Sequence, residues 1–292
     1  MEYTITAYST ALFSTWINVE ELGLLIDAGD GVSAGLLQKS RKVKNVFITH
    51  PDRDHLTGLF QFIQLNSREN LPVIHYPKDC GSFPAIKKFL EDFDLHVAGS
   101  QWFGIENGQR IKIKAGFEIE AMRNEHIPAP TGVHKSLSYK LYKVKQKLKR
   151  EFSGLSPEYI KSIVLKKGKE FVTEHVERNV ISFSGDTPID DYAKWDKSEI
   201  LMHECTFLRN VADENIEVRG KRHTNVTEVL QMAKEISIDK LILCHFSTRY
   251  SNEEIDQAVL NVIKDLQIQI PVYLVYPGEI KKDILTSKAV NE

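Results

Sequence analysis

Short apolar runs alternate with amphipathic stretches along the chain, and their spacing separates strands from helices. Runs at 22–27, 45–49, 72–75, 117–122, 137–143, 180–184, 200–203, 240–244 and 272–275 read as short buried strands. Helical patterning follows Gly31, Leu56, Pro84, Pro188, Asn225 and Ser251. Asn225 with Glu228, and Ser251 with Glu254, each set a capping side chain three residues before a glutamate, the mark of a capping box. Strands mixed with helices define an α/β chain. Their order suggests two similar halves, each running from strands into helices, around one core.

The chain has 292 residues, within reach of one large domain or two small ones. We read it as one domain over 1–292 with a basic, arm-like insertion at about 140–175. Lys plus Arg number 38 and Asp plus Glu 40, a formal charge of −2. That excludes a globally basic nucleic-acid binder but not a local basic patch. Such a patch exists: six of the eleven residues at 140–150 are basic, and Lys161, Lys166, Lys167 and Lys169 follow. It is either a solvated face or a handle for a polyanion. No apolar run reaches the length of a spanning helix, so no membrane partner is expected. The first ten residues lack the features of a signal peptide. Cys80, Cys205 and Cys244 are few and far apart, which indicates neither a disulfide framework nor a cysteine metal site. The cytoplasm is the expected compartment.

The chemistry concentrates in His50-Pro-Asp52-Arg-Asp54-His55, directly after the apolar run 45–49. Packing has no use for two imidazoles and two carboxylates within six residues, and burying such carboxylates unpaired is costly. The layout recurs. Apolar runs end in Gly185-Asp186-Thr187, in His203-Glu204-Cys205-Thr206 and in His245-Phe-Ser-Thr-Arg-Tyr250. Ligand sites of α/β sheets gather at the carboxyl ends of strands, so these distant residues can converge.

Together with Leu25-Ile-Asp-Ala-Gly-Asp-Gly31, Ser136-Leu-Ser-Tyr139 and His223-Thr224, these stretches resemble the metallo-β-lactamase fold of binuclear metallohydrolases. More narrowly, the sequence resembles the ribonuclease Z branch, in the family's order and over most of the chain. Three features depart from that branch. Asp52 stands where the first motif has its second histidine, so an oxygen ligand replaces a nitrogen one and metal preference shifts from Zn²⁺ toward Mn²⁺. Ala7-Tyr-Ser-Thr-Ala11 stands in place of a Gly-rich loop, and the basic segment looks like a shortened RNA-gripping arm without its Gly-Pro motif.

The resemblance implies an αββα four-layer sandwich with two central mixed sheets. It implies a phosphodiesterase with tRNA 3′-processing as the family activity, using two divalent metals, Zn most of all, Mn as an alternative. One metal would take His50, Asp52, His126 or His134, and Asp186; the other Asp54, His55, Asp186 and His245. His126 has the strand register of the family ligand, five residues after Ala121, while His134 lies nearer Tyr139. A bridging hydroxide, oriented by Asp54, would attack the phosphorus. His223, oriented by Glu204, would protonate the leaving oxygen. Arg249 is a candidate phosphate contact or, equally, a structural ion pair. His75, His96 and His175 read as packing or surface residues. The substrate is RNA or a small phosphodiester such as a cyclic nucleotide, and family analogy suggests a homodimer. A non-catalytic metal-binding scaffold is the alternative from outside the enzymes.

Overall fold

A computed structural model describes residues 3–94, 99–209 and 222–292. Two sheets form its middle. The first holds β1 (Ile5–Thr10), β2 (Ser14–Val19), β3 (Leu24–Ile26), β4 (Asn45–Phe47), β5 (Val73–Pro77) and β6 (Gln101–Ile105), in that order. Its first three strands are antiparallel and the rest parallel. The second holds β7 (Arg110–Lys114), β8 (Phe117–Arg123), β9 (Leu137–Leu148), β10 (Thr173–Phe183), β11 (Ser198–Glu204), β12 (Ile238–Cys244) and β13 (Val272–Leu274). It repeats the scheme, antiparallel through β10 and parallel from β10 to β13. The two-half pattern expected from the sequence is therefore present in the topology.

Alternation along the strands builds the layers. Ile17, Ile26 and Phe47 of the first sheet meet Ile119, Tyr139, Ile181, Met202 and Ile242 of the second in an inner core. Their neighbours face outward: Val46 and Ile74 pack under α1 (Val32–Leu36), α3 (Leu59–Asn66) and α4 (Ser82–Phe93), beyond the short α2 (Arg53–Leu56). Leu201, Leu241 and Leu243 pack under α7 (Val226–Glu235) and α8 (Asn252–Leu266), which follow α5 (Pro157–Lys167) and α6 (Lys169–Val172) in the chain. Strands buried on both faces read as continuous apolar runs, which is why they were visible. The result is the four-layer sandwich. The Tyr139 hydroxyl donates to the Ile48 carbonyl at 2.6 Å and so ties one sheet to the other. Both capping boxes form, at Asn225/Glu228 and Ser251/Glu254.

Several expectations need correction. No helix follows Pro188; a single 3₁₀ turn spans Tyr192–Lys194. Asp190 and Asp191 accept hydrogen bonds from the backbone N–H groups of Asp191 and Ala193, local bonds that compete with a helix. The helix expected after Leu56 instead starts inside the histidine motif as α2 and resumes as α3. The helix at Pro84 starts two residues earlier, leaving the proline in the first turn, where its missing N–H costs nothing. β1, β2, β6 and β7 were not anticipated.

The basic segment is a ribbon. β8 pairs with β9 only as far as Lys143, and β11 pairs with β10 only from Asn179. Beyond these points β9 and β10 pair with each other alone, to Leu148 and Thr173, and α5 and α6 close the end. Lys143, Lys145, Lys147 and Lys149 alternate and so share one face of the strand. Lys143 lies over the Phe117 ring, and Lys149 donates to the Phe171 carbonyl; Lys145 and Lys147 are exposed.

Candidate metal centre and proton donor

Six chain segments meet at one edge of the sandwich, one of them carrying His223 just ahead of α7. His50, Asp186, Glu204 and His245 lie at or just past the carboxyl ends of β4, β10, β11 and β12, and His126 three residues past β8. The first motif needs a bend to present all its donors. Asp52, in extended conformation, precedes α2, whose first turn carries Asp54 and His55. The β3 loop lies hard against this turn: a Cβ on Gly29 would sit 2.2 Å from the Asp54 carbonyl, and one on Gly58 2.1 Å from the Gly29 carbonyl. Only glycine allows that approach.

Asp186 sits at the middle. Its Oδ2 is 3.3 Å from Nε2 of His55 and of His245, and 3.8 Å from Nε2 of His50. Asp54 Oδ2 lies 3.5 Å from His55 Nε2 and 3.7 Å from His245 Nε2. Asp52 Oδ2 lies 3.3 Å from His126 Nε2 and 3.7 Å from His50 Nε2. Two ligand groups result, Asp54–His55–Asp186–His245 and His50–Asp52–His126, and His223 borders both.

The Nε2 atoms of His50, His55 and His245 are buried and have no hydrogen-bond partner. Leaving a buried polar atom unsatisfied costs about 1–3 kcal/mol, so three gathered around Asp186 call for a partner there, an ion or ordered water. His75 is also buried without partners, but it is stacked on Phe47 at 4.3 Å and faces no such cluster. Converging lone pairs among carboxylates fit divalent cations.

What holds those lone pairs outward is a pair of matching networks. In the first, Asp27 accepts from the backbone N–H and hydroxyl of Thr49 and lies 2.7 Å from His55 Nδ1. The Thr49 hydroxyl, spent as donor on Asp27, must accept from His50 Nδ1 at 2.9 Å. In the second, Glu204 accepts from the backbone N–H and hydroxyl of Thr206 and lies 3.0 Å from His223 Nδ1. The Thr206 hydroxyl then accepts from His245 Nδ1 at 3.0 Å. In each half, one carboxylate anchors one imidazole directly and another through a threonine. The network thus assigns the Nδ1–H tautomer to His50, His55 and His245 and frees each Nε2 for a ligand. Asp27 and His245 both have left-handed backbones, φ 55° and 64°, strain of the kind concentrated at functional sites.

Charge follows the same logic. Burial opposes ionisation of Asp186, but His245 and His55 outweigh it and hold the carboxyl well below the usual range. Burial, with His55 alongside, pushes His50 well down. Burial also disfavours protonated His223, yet Glu204 beside it wins and lifts the imidazole to about 9.

The structure brings together His50, Asp52, Asp54, His55, His126, Asp186, Glu204, His223 and His245. It separates the two alternatives for the middle ligand. His134 is turned elsewhere, its Nδ1 toward the Asn107 N–H at 3.4 Å and its own N–H toward Asp79. Arg249 is exposed; its Nε donates to Ser247 Oγ at 3.1 Å and its guanidinium faces the Phe207 and Tyr250 rings. His175 is exposed beside Glu177, and His96 lies outside the described residues. Sequence reasoning missed Asp27, Thr49 and Thr206 as supports. Asp27 could have been found by the rule that singled out Asp186: a polar residue closing an apolar run.

The model for the metallo-beta-lactamase superfamily matches residues 12–144. The chain is 30% identical over 273 residues to the chloroplastic tRNase Z TRZ2 of Arabidopsis thaliana, covering 89% of this chain and 72% of that protein. It is 31% identical over 259 residues to ribonuclease Z of Thermococcus onnurineus, covering 79% and 78%. Among solved structures, the short form of human tRNase Z superposes with a TM-score of 0.60 at 16% identity, covering 97% of this chain and 100% of that one. The fold and the site define a metal-dependent hydrolase. The chain belongs to the metallo-beta-lactamase superfamily and, within it, to the ribonuclease Z group.

Proposed function

We propose that this protein is a binuclear phosphodiesterase acting on RNA, of the kind that trims precursor tRNA at its 3′ side. The observation that carries the reading is the meeting of unsatisfied imidazole nitrogens, three aspartates and the Glu204–His223 pair at one edge. His50, Asp52, His126 and Asp186 would hold one cation; Asp54, His55, Asp186 and His245 the other. When bound, such cations supply Lewis acidity and make water a nucleophile near neutral pH. The chain's own residues do the rest. Asp54 accepts a hydrogen bond from the attacking water and orients it. His223 gives its Nε2 proton to the leaving oxygen, with Glu204 steadying the imidazolium. One relative named tRNase Z and another named ribonuclease Z support RNA as the substrate class.

The ribbon supports a long substrate. β10 runs eleven residues from Thr173 to Phe183, three short of Asp186. At about 3.3 Å per residue, the ribbon's end lies roughly 35 Å from the site. A mononucleotide cannot touch both; a folded RNA can. The three cysteines are free and buried, which suits the cytoplasm. No helix among the described residues is long and apolar enough to cross a membrane.

Precursor tRNA and a cyclic mononucleotide, compared at equal enzyme concentration with added Zn²⁺ or Mn²⁺, test the reading. Cleavage of the cyclic compound alone would replace it with small-molecule hydrolysis; cleavage of neither would remove it. The arm gives a second expected result. Lys145→Glu with Lys147→Glu should flatten the salt dependence of RNA affinity by about two counterions' worth of slope. Hydrolysis of a chromogenic diester should not change, because that molecule cannot reach the ribbon. An equal response of both substrates, measured across a salt series, would show that the lysines serve the fold. Metal stoichiometry gives a third. Saturated protein should hold two metals per chain by elemental analysis, and His245→Ala about one. Wild type that never exceeds one metal overturns the binuclear reading.

A further inference from the structure

Two large apolar side chains stand in solvent beside the site. The turn between β1 and β2 carries Leu12 and Phe13, 88% and 61% exposed, and neither belongs to the apolar clusters of the described residues. The turn is tied to the metal edge by its backbone and by both flanking hydroxyls. The Ala11 N–H donates to the carbonyl of Phe246, the residue after His245. Thr10 Oγ accepts from the Gly278 N–H, and Ser14 Oγ donates to the Asp30 carbonyl. Just inside the turn, Ser9 and Thr15 line a small cavity together with His55, Asp186 and His245. Phe13 lies two residues from Thr15, about 7 Å of strand from that cavity.

Leu12 is costly for the fold. The Phe13 N–H donates to the Thr10 carbonyl at 3.0 Å, closing a β-turn with Leu12 at its third position and φ 69°. That position ordinarily takes glycine or asparagine, because a larger side chain there is strained. A leucine that is strained and buries almost nothing is not there for stability, and such outliers gather at functional sites. The hairpin is also where the chain departs from the Gly-rich loop of ribonuclease Z, with Ala7-Tyr-Ser-Thr-Ala11 in its place.

We infer that the hairpin tip is a nucleobase subsite: Phe13 stacks on the base of a nucleotide flanking the scissile phosphodiester, with Leu12 packed beside it. The inference rests on the RNA reading above and deepens it. A phosphodiester that reaches Asp186, which is almost wholly buried, has left its helix, so the bases beside it have lost a stacking neighbour. An exposed aromatic ring replaces that neighbour, and it accepts any base because every base has a π face. A second copy of the chain is a poorer occupant. Two side chains of this size offer at most about half of the roughly 800 Å² per partner that a stable interface takes. The tip therefore holds the nucleotide next to the cut without choosing its sequence, while the ribbon grips the RNA far away.

The metal-loaded full chain and a synthetic precursor tRNA test this. Phe13→Ala should raise KM by about 5- to 150-fold, the range for one stacked base, and change kcat little where chemistry limits the rate. Phe13→Trp should keep the wild-type KM, and both variants the wild-type metal content. The decisive arm removes the base, using precursors abasic on the 5′ or the 3′ side of the cut. On one of them wild type should fall to the level of Phe13→Ala, and the variant should lose nothing further. Leu12→Gly should weaken RNA binding without lowering the melting temperature, since glycine takes that φ freely. A KM for Phe13→Ala indistinguishable from wild type overturns the subsite, as does an undiminished penalty on both abasic precursors. A smaller mass by gel filtration with unchanged KM would make the tip a contact between copies instead. In each of these cases cleavage of the intact precursor by wild type leaves the RNA reading standing. Wild type that cleaves no RNA overturns both.

Discussion

Replacing His223 by alanine is expected to slow hydrolysis of a natural RNA phosphodiester by roughly 10²–10⁴-fold and hardly to affect a nitrophenyl diester. A ribose alkoxide is a poor leaving group and needs a proton; a nitrophenolate does not. His223 Nδ1 lies 3.0 Å from Glu204 Oε1, leaving Nε2 toward the site. Glu204→Gln should act in the same direction, and the double variant should be little worse than either single one, since the two work as a unit. The pH profile carries a second signature. Burial opposes protonation of His223, but Glu204 raises it to about 9. The donor is therefore charged below that pH and lost above it, and activity should fall on the alkaline side. Removing the Glu204 charge lowers the His223 pKa, so that fall should move to lower pH. Metal content should be unchanged in His223→Ala. Loss of metal, or equal loss on both substrates, would make His223 a ligand, a role its place beside His126 and Asp186 would also permit.

Asp54→Ala should reduce turnover by at least about 100-fold, the upper end seen for residues that only support ligands. Binding of substrate, read as KM under conditions where chemistry limits the rate, should change little. Asp54 is the carboxylate that faces His55 and His245 from the first turn of α2. Its carboxyl is held low because His245 and His55 together overcome the burial that opposes ionisation. It is thus ionised across the working pH range and can accept a hydrogen bond from water throughout. Near-normal turnover after metal is resupplied would exclude Asp54 from the chemistry.

Much of this was legible because the chain writes its site at strand ends. Val46–Phe47, Leu201–Met202 and Leu241–Ile242 are apolar on both faces, and each such run stops at a polar residue of the site. β1 and β2 were not legible for the opposite reason. Ser9, Thr10, Ser14 and Thr15 are buried there, and their hydroxyls find partners inside the fold: Ser9 with Thr15 at 3.2 Å, Ser14 on the Asp30 carbonyl, and Thr10 accepting from the Gly278 N–H. A strand that carries hydroxyls inward does not look apolar. The choice between His126 and His134 also lay beyond spacing, because the loop between them folds back and only packing decides which ring turns inward. Asp27 and Thr206 were hidden differently. A single aspartate or threonine after a strand is common, and its value lies in a partner distant in sequence.

The division of the site between the two sheets has a thermodynamic consequence. His50, Asp52, Asp54 and His55 come from the first half; His126, Asp186 and His245 come from the second. Neither half alone offers a full set, so a cation bound by the residues proposed above would draw ligands from both halves. Binding energy spent there is also energy that holds the halves in register, since an ion that binds only the assembled state stabilises that state by mass action. The antiparallel bridge from Ala7 to Lys281, 274 positions apart, joins the same two halves through backbone hydrogen bonds. With ions bound, the two halves are expected to melt as one cooperative unit, and chelation to lower the melting temperature.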